Sequence, residues 1–483
     1  MKLSELVTSL AKAKVIGGGD PEITRIDFDS RQVQPGSLFI AIEGFQSDGH
    51  KFLTQAFAEG AAAALVTRPI EENYPGPLIE VDDARQAMAL LAGKLENHPD
   101  RNLDLVGVTG TNGKTTIVTL LAEIFNTAYP CAGMIGTLGY DIGNKHFPLS
   151  RTTPESTDLY RVLGQIINAG CKAAALEVSS HALSLCRVYG MQFKVAAFTN
   201  LSQDHLDFYG DFESYFLAKA QLFTDYAIDT AVINIDDSYG QRLTKMCRTK
   251  TLTFALNQPA DVSAVSLITD VHGLDLVLTT PRGNLALTSP LIGRFNASNL
   301  ACAIAICEAL QIDQKLVQDV VSRFAGAPGR LEKFDLGGKW AYVDYAHSPQ
   351  ALEVVLSELR YVNSGPLHVV FGCGGNRDRE KRPLMGRIAE AGADEVMVTS
   401  DNPRDEDPED IIQEILAGTK APDQISVIQD RRRAIRKALK ELPASGILLI
   451  AGKGHEDYQE IKGEKAYFDD RDEVRRFIEE SKS

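Results

Sequence analysis

The sequence predicts an α/β protein of three domains: a central, mostly parallel sheet with helices on both faces, a C-terminal Rossmann-like doubly wound unit, and a small N-terminal α/β unit. Three observations predict it. The chain has 483 residues, about three domains at roughly 150 residues each. From Leu103 onward, short β-rich runs alternate with longer helical ones, the pattern of parallel strands joined by crossover helices. Two interruptions, near Glu96–Asp100 and at GAPGRLE around 326–332, divide the chain into 1–98, 99–328 and 329–483.

In the first segment, SLFIAIEG, AAAALVT and GPLIEV are short apolar runs separated by turns. In the second, LDLVGV, AAALEV, KVAAFT and TAVINI each precede a periodic stretch, and a helical pair over roughly 296–324 closes it. In the third, WAYVDY, LHVVFG, EVMVTS, QISVIQ and GILLIAG are strand-like, with helices such as PQALEVVLSELR between them.

Lys and Arg number 50 against 65 Asp and Glu, a net charge of −15 with no basic block, which argues against nucleic acid as a partner. A small anion remains compatible, because backbone N–H groups bind it locally. The longest apolar run, near Leu300–Leu310, is broken by Glu308 and falls short of the ~18 residues a membrane helix needs. The N-terminal stretch MKLSELVTSLAKAK lacks an unbroken apolar region, so a cytoplasmic protein without membrane insertion is expected. Seven scattered cysteines (131, 171, 186, 247, 302, 307, 373) show no CxxC or zinc spacing and read as reduced, mostly buried thiols.

LVGV followed by TGTNGKTT (109–116) is a strand, a glycine turn and a helix start, which makes the central sheet P-loop-type. Gly110 and Gly113 free the backbone to wrap phosphate oxygens, while Lys114 and Thr115 offer a charge and a Mg²⁺ ligand. The match is GxxGKT rather than the full GxxxxGK[ST].

AAALEVSSH (173–181) ends a strand on Glu177, a hard oxygen ligand for Mg²⁺ or else a solvated strand end that caps the next helix. DHLDFYG carries His205 in a loop, where histidine is more often a surface residue than a ligand. Lys219 has Tyr215, Phe216, Leu222 and Phe223 at helical spacing, which puts it on an apolar stripe. Either it snorkels to water, or its amine is depressed and reacts with CO₂ to give a carbamate.

Further on, GCGGNRD presents Arg377, DNPR presents Arg404 behind the stiff Pro403, and GKGHEDYQ supplies Gly452 and Glu456, each after a strand. Together they fit an amino acid with charges of both signs.

In order along the chain, GTNGKTT, EVSSHAL, DHLDFYG with AKAQLF, GRFNASNL, PGRLE, DYAHSP, GCGGNRD, DNPR and GKGHEDYQ resemble the ATP-dependent Mur ligases, in particular those that add meso-diaminopimelate. DSRQVQPGSLFIAIEGFQSDGH extends the likeness into the first segment. The resemblance implies an amide ligase of peptidoglycan precursor synthesis. ATP phosphorylates the D-glutamate side-chain carboxylate of UDP-MurNAc-L-Ala-D-Glu, and the amine of meso-diaminopimelate attacks the acyl phosphate.

By position, the resemblance implies an ATP site of Gly110, Thr111, Asn112, Gly113, Lys114, Thr115, Thr116, Asn299, Arg330 and Asp344, with His347 beside them. It implies Mg²⁺ on Thr115 and Glu177, with a second ion on His205 and Lys219 as N6-carboxylysine; Lys114, Glu177, His205 and Lys219 form the catalytic set. It places the UDP end of the substrate on Phe28, Ser30, Phe45, Gln46 and Ser47, and the peptide end on Thr152, Thr153, Ser179 and Arg187. For diaminopimelate it implies Arg377, Asp401, Asn402, Pro403, Arg404, Gly452 and Glu456.

Arg151 and Leu185 depart from the family pattern, where Asn and Gln are common. A lysine-adding relative would lack Arg404, because lysine has no distal carboxylate. The UDP-type first segment speaks against a folylpolyglutamate synthetase, and a nucleotide-binding regulator is the non-enzymatic alternative.

Overall fold

The computed structural model describes residues 1–44 and 47–481 and divides into two compact units, Met1–Ser263 with Cys302–Leu316, and Ala264–Ala301 with Val317–Ser483.

In the first unit, the N-terminal sheet runs in the order Lys14–Ile16, Leu78–Glu80, Ala63–Val66, Ser37–Ile40, Arg25–Asp27. All its pairs are parallel except the first. The expected runs at SLFI, AALV and LIE are its buried strands.

The central sheet orders its parallel strands Lys250–Ala255, Ala227–Asn234, Gln192–Phe198, Asp104–Thr109, Ala173–Glu177 and Ala132–Gly136. An antiparallel hairpin, Gly139–Ile142 and Lys145–Phe147, extends it. The Asp104–Thr109 and Ala173–Glu177 strands read as continuous apolar runs because helices cover both faces. Their register, Val108 beside Glu177, brings the phosphate turn and the acidic strand end to one carboxyl edge.

The second unit holds a sheet ordered Glu332–Asp335, Trp340–Asp344, Ile447–Ala451, Leu367–Phe371, Glu395–Val398, Ser426–Val427, parallel after its first pair. Pro349–Val362 packs Leu352, Val355, Leu356 and Leu359 against it, with Ser348 accepting from Ala351 N–H as N-cap and Pro349 in the first turn. The helical pair appears as Arg294–Ala309 and Gln314–Val321. QISVIQ yields a strand of only Ser426 and Val427, a short edge that presents few unpaired backbone groups.

One expectation is overturned. Cys131 and Cys171 form a disulfide, so the cysteines are not all reduced. Each lies just before a strand, and those strands pair in parallel with Ala132 beside Ala173, which puts two residues 40 apart in sequence side by side. Spacing alone does not reveal such a pairing. Cys186, Cys247, Cys302, Cys307 and Cys373 are in no disulfide among the described residues.

Candidate active site

The strand Asp104–Thr109 delivers the chain into Gly110, whose φ is +143° and whose added Cβ would lie 1.9 Å from Thr199 Oγ1. No side chain fits there. Gly113, at φ +88°, then starts the helix Lys114–Ala128. The turn is braced from the neighbouring strand end: Asn200 O accepts from Thr111 N–H at 2.9 Å, and Asn200 Oδ1 accepts from Asn112 N–H at 3.0 Å. Lys114 Nζ folds back to donate to the carbonyls of Gly110 and Thr111, each at 2.9 Å. Thr115 and Thr116 are buried at the helix start, and the buried Thr109 Oγ1 has no hydrogen-bond partner. The loop therefore offers backbone donors, a cation and hydroxyl oxygens to one anion.

Lys219 lies on the helix Phe212–Thr224 and is 1% exposed, so it does not snorkel. Its Nζ donates to Gly110 O at 2.9 Å and sits 4.6 Å from the centre of the Tyr215 ring. Burial, then the charge of Lys114, holds this amine well below the usual lysine range. Two ammonium groups thus converge on one carbonyl oxygen, and Lys219 is the one whose charge burial opposes.

Glu177 is 1% exposed, which excludes the solvated strand end. Its carboxylate accepts from Thr137 N–H at 2.9 Å and from Thr137 Oγ1 at 3.2 Å. Gly136 makes room for it, since a Cβ there would lie 2.4 Å from Glu177 Oε1. Thr152 Oγ1 meets Thr137 Oγ1 at 3.0 Å, and Thr153 Oγ1 donates to the Glu177 carbonyl at 2.8 Å. Ser179 caps the short helix Ser180–Ser184. Arg187 is buried, donating to Glu155 Oε1 at 3.1 Å and Thr153 O at 3.0 Å. Arg85 and Arg151 also reach Glu155, so three guanidinium groups surround one carboxylate beside the paired threonines.

His205 is held in the left-handed region at φ +53°, with Nε2 3.4 Å from Asp204. Its ring meets His181 edge-on, centroids 4.7 Å apart. Burial lowers both imidazoles, His181 to about 4, so their nitrogens are neutral donor–acceptors at neutral pH. In the N-terminal sheet region, Phe28 packs half-buried, Ser30 Oγ donates to Gln55 at 3.2 Å, and Ser47 is exposed. Phe45 and Gln46 lie outside the described residues.

The second unit carries the other predicted residues. Asn299 is buried against Asn296, with Nδ2 donating at 3.1 Å. The Arg330 guanidinium stacks 4.6 Å over Tyr345, and Arg330 Nε and His455 Nδ1 are buried without partners. Asp344 accepts from Leu331 and Ala346 N–H at 2.7 and 2.8 Å, and burial raises its carboxyl. Lys381 donates to the carbonyl of His347 at 2.8 Å.

The loops after Leu367–Phe371 and Glu395–Val398 leave the same sheet edge, because those strands are parallel neighbours. Arg404 stands at φ +53°, its N–H donating to Glu460 O at 3.0 Å and its Nη1 to Gly375 O at 2.6 Å. A Cβ on Gly374 would lie 3.0 Å from Arg404 Nη1 and 3.9 Å from Arg377 Cγ, so the two arginines flank that glycine. Arg377 itself is exposed. Behind the loop the buried Arg382 grips Glu406 and Glu414 at 2.8 and 2.7 Å and holds the Glu406 carboxyl down at about 2.

Asn402 Nδ2 donates to Glu456 Oε2 at 2.9 Å, Asp401 Oδ1 accepts from Asn402 N–H, and Gly452 at φ +116° leaves 2.8 Å between its would-be Cβ and Asp401 Oδ2. Lys453 Nζ stands 3.6 Å from Glu456 Oε2, so both signs of charge meet in these loops.

Several residues escaped the sequence reading. Thr137 and Glu155 carry no motif. Lys453 and His455 stood inside GKGHEDYQ, where a lysine between two glycines after a strand was the available signal.

Residues 108–307 match the Mur ligase middle domain, 329–454 the Mur ligase glutamate ligase domain, and 22–94 the Mur ligase catalytic domain. A UDP-N-acetylmuramoyl-L-alanyl-D-glutamate–2,6-diaminopimelate ligase of Geobacillus thermodenitrificans (strain NG80-2) is 41% identical over 99% of this chain and 100% of its own. The chain belongs to the Mur ligase family.

Another Mur ligase of the same name, from Aquifex aeolicus (strain VF5), is 42% identical over 94% of this chain and 93% of its own. A solved structure bearing that name aligns over 100% of both chains at 35% identity with a TM-score of 0.74. A folylpolyglutamate synthase of Mycobacterium tuberculosis, at 19% identity and TM-score 0.60 over 75% of this chain and 91% of its own, shares the fold. As a Mur ligase, the chain is an ATP-dependent ligase. Among its described residues, no helix is long and apolar enough to cross a membrane.

Proposed function

We propose that this Mur ligase joins meso-diaminopimelate to the D-glutamate side-chain carboxylate of UDP-MurNAc-L-Ala-D-Glu, in cytoplasmic peptidoglycan precursor synthesis. The observation that carries this reading is an Arg404 held in the DNPR loop by Gly375 O, while Asn402 of the same loop donates to Glu456 of the GKGHE loop, so a guanidinium and a carboxylate are fixed on two joined loops, which suits an amino acid with a carboxylate beyond the one every amino acid has. The relatives, 2,6-diaminopimelate ligases at 41% and 42% identity, support it. Segment 1–98 would hold the UDP end, 99–328 the ATP and 329–483 the amino acid.

In this reading, loop residues 110–116 bind the ATP phosphates and Lys114 balances their charge, with Asn299, Arg330 and Asp344 as nucleotide contacts. The carboxylate attacks the γ-phosphorus, and ADP departs. The amine then attacks the acyl carbon, phosphate leaves, and a proton is released. The buried Lys219 fits addition to CO₂: its amine nitrogen bonds carbon and loses a proton, which turns a cation into an oxygen ligand. Thr115 and Glu177 would hold one Mg²⁺, His205 and the carbamate a second; the unpartnered Thr109 Oγ1 and the buried Glu177 suit such an ion-filled pocket. Mg²⁺ supplies charge neutralisation at the phosphates. Thr152, Thr153, Ser179 and Arg187 would hold the peptide end, and Phe28, Ser30, Phe45, Gln46 and Ser47 the uridine end.

The test is phosphate release with ATP, UDP-MurNAc-L-Ala-D-Glu and a panel of amino acids. Release that needs both the acceptor and meso-diaminopimelate is expected. Turnover with lysine in its place, or none with either, overturns the reading.

A further inference from the structure

Lys453 is 0% exposed, an unusual position for an ammonium group unless anions face it. Its Nζ donates to Asn402 Oδ1 at 3.1 Å and stands 3.6 Å from Glu456 Oε2. Asn402 in turn donates to the same Glu456 oxygen at 2.9 Å and accepts from Glu460 N–H at 3.0 Å. The ammonium, the amide and the carboxylate form a closed triangle beneath the amino-acid site. Asn402 can take up only one orientation in it, because its oxygen serves two donors and its nitrogen one acceptor.

Burial pushes the Glu456 carboxyl up, and the charge of Asp401 pushes the same way; Lys453 is the first group that opposes them. Tyr345 and Tyr458 also face Glu456 and are neutral near pH 7, while the buried Arg431 is already paired with Asp470 at 2.7 Å.

We propose that Lys453 is a positioning residue for amino-acid specificity, keeping Glu456 ionised and Asn402 oriented so that Glu456 receives an ammonium group of the incoming amino acid. Lys453 need not touch that substrate. The inference rests on the proposed function, since it assigns a role in the same site.

The sign of the effect follows from the charges. Without the Lys453 ammonium the Glu456 carboxyl binds its proton more tightly, so the ionised form that attracts a cation is lost from a higher pH downward.

The test is Lys453→Met, which keeps most of the volume without the charge, assayed for diaminopimelate KM, ATP KM and kcat from about pH 6.5 to pH 8.5. A rise of about 10-fold in diaminopimelate KM near neutral pH is expected, growing as pH falls, with ATP KM within about twofold of wild type. Glu456→Gln should mask it: in that background Lys453→Met should add less than about twofold. If Lys453→Met does not fold, Lys453→Gln, which keeps a donor, must show the same steepened pH profile. A profile parallel to wild type, or equal increases in both KM values, overturns the inference. Wild-type enzyme that ignores diaminopimelate overturns the proposed function instead, whatever the variants do.

Discussion

The phosphate loop and the C-terminal loop cluster both follow parallel strands at a carboxyl edge, yet they are built by opposite means. In the proposed function the main chain around Gly110 and Gly113 does the binding, and its shape depends on positions where no side chain fits. Around Asp401, Arg404 and Glu456 the side chains would do it, with Arg404 fixed by the Gly375 carbonyl and Glu460, and Glu456 by Asn402 and Lys453. Backbone amides are common to every residue, so a site made of them suits a phosphate that every reaction cycle uses. Opposed side-chain charges are particular, so a site made of them can choose one amino acid.

Lys114→Ala should break this comparison most severely, because Lys114 is the phosphate loop's one side-chain charge in contact with its own carbonyls. A fall of about 10³-fold in kcat is expected, read by ADP release. Near-normal turnover would mean that the loop does not carry the chemistry. Lys219→Ala comes next, with a fall of about 10²-fold that acetate or formate partly restores by supplying the missing oxygen ligand. Intact-mass measurement should find one added CO₂ on wild type and none on the variant. Loss that no carboxylate rescues would return Lys219 to a structural role.

The same contrast explains what was legible in the sequence. Strands buried on both faces are continuous apolar runs, so AAALEV and ILLIA announced themselves. The strand Ala132–Gly136 did not, because AGMIG carries two glycines, one of which leaves space for Glu177. Glycine turns with a following Lys-Thr are local patterns, and TGTNGKTT could be read directly. Glu155, gathered with Arg85, Arg151 and Arg187 from distant positions, is a product of tertiary packing and has no local signature. Lys219 lies between: its apolar stripe was visible, while its reach to Gly110 was not.

Arg404→Ala sharpens the comparison on the side-chain half. Losing a charge-assisted contact to a carboxylate costs about 1.5–3 kcal/mol, so diaminopimelate KM should rise about 10- to 100-fold. ATP KM should stay within about twofold. Arg404→Lys should recover little, because a point charge lacks the planar fork that matches a carboxylate. Equal increases in both KM values would place Arg404 elsewhere in the mechanism.

Gly452→Ala should have the smallest effect of the four and is the most discriminating about construction. Gly452 sits at φ +116°, where an L side chain is strained, and its Cβ would approach Asp401 Oδ2 to 2.8 Å. Its nearest neighbour is the Asp401 side chain rather than backbone, and a carboxylate can swing aside where a peptide unit cannot. Strain of about 1–3 kcal/mol should therefore lower the melting temperature of the variant by a few degrees. The displaced Asp401 should raise diaminopimelate KM by about 3- to 10-fold and leave kcat nearly intact. Gly110→Ala, set beside it, meets Thr199 Oγ1 at 1.9 Å, a hydroxyl tied to the loop carbonyl of Asn112, and the backbone N and O of Asn200 at 3.1 Å, so it shifts the main chain and should lower kcat as well. If the two glycine variants lose kcat and KM in the same proportion, the division between a backbone-built and a side-chain-built site fails.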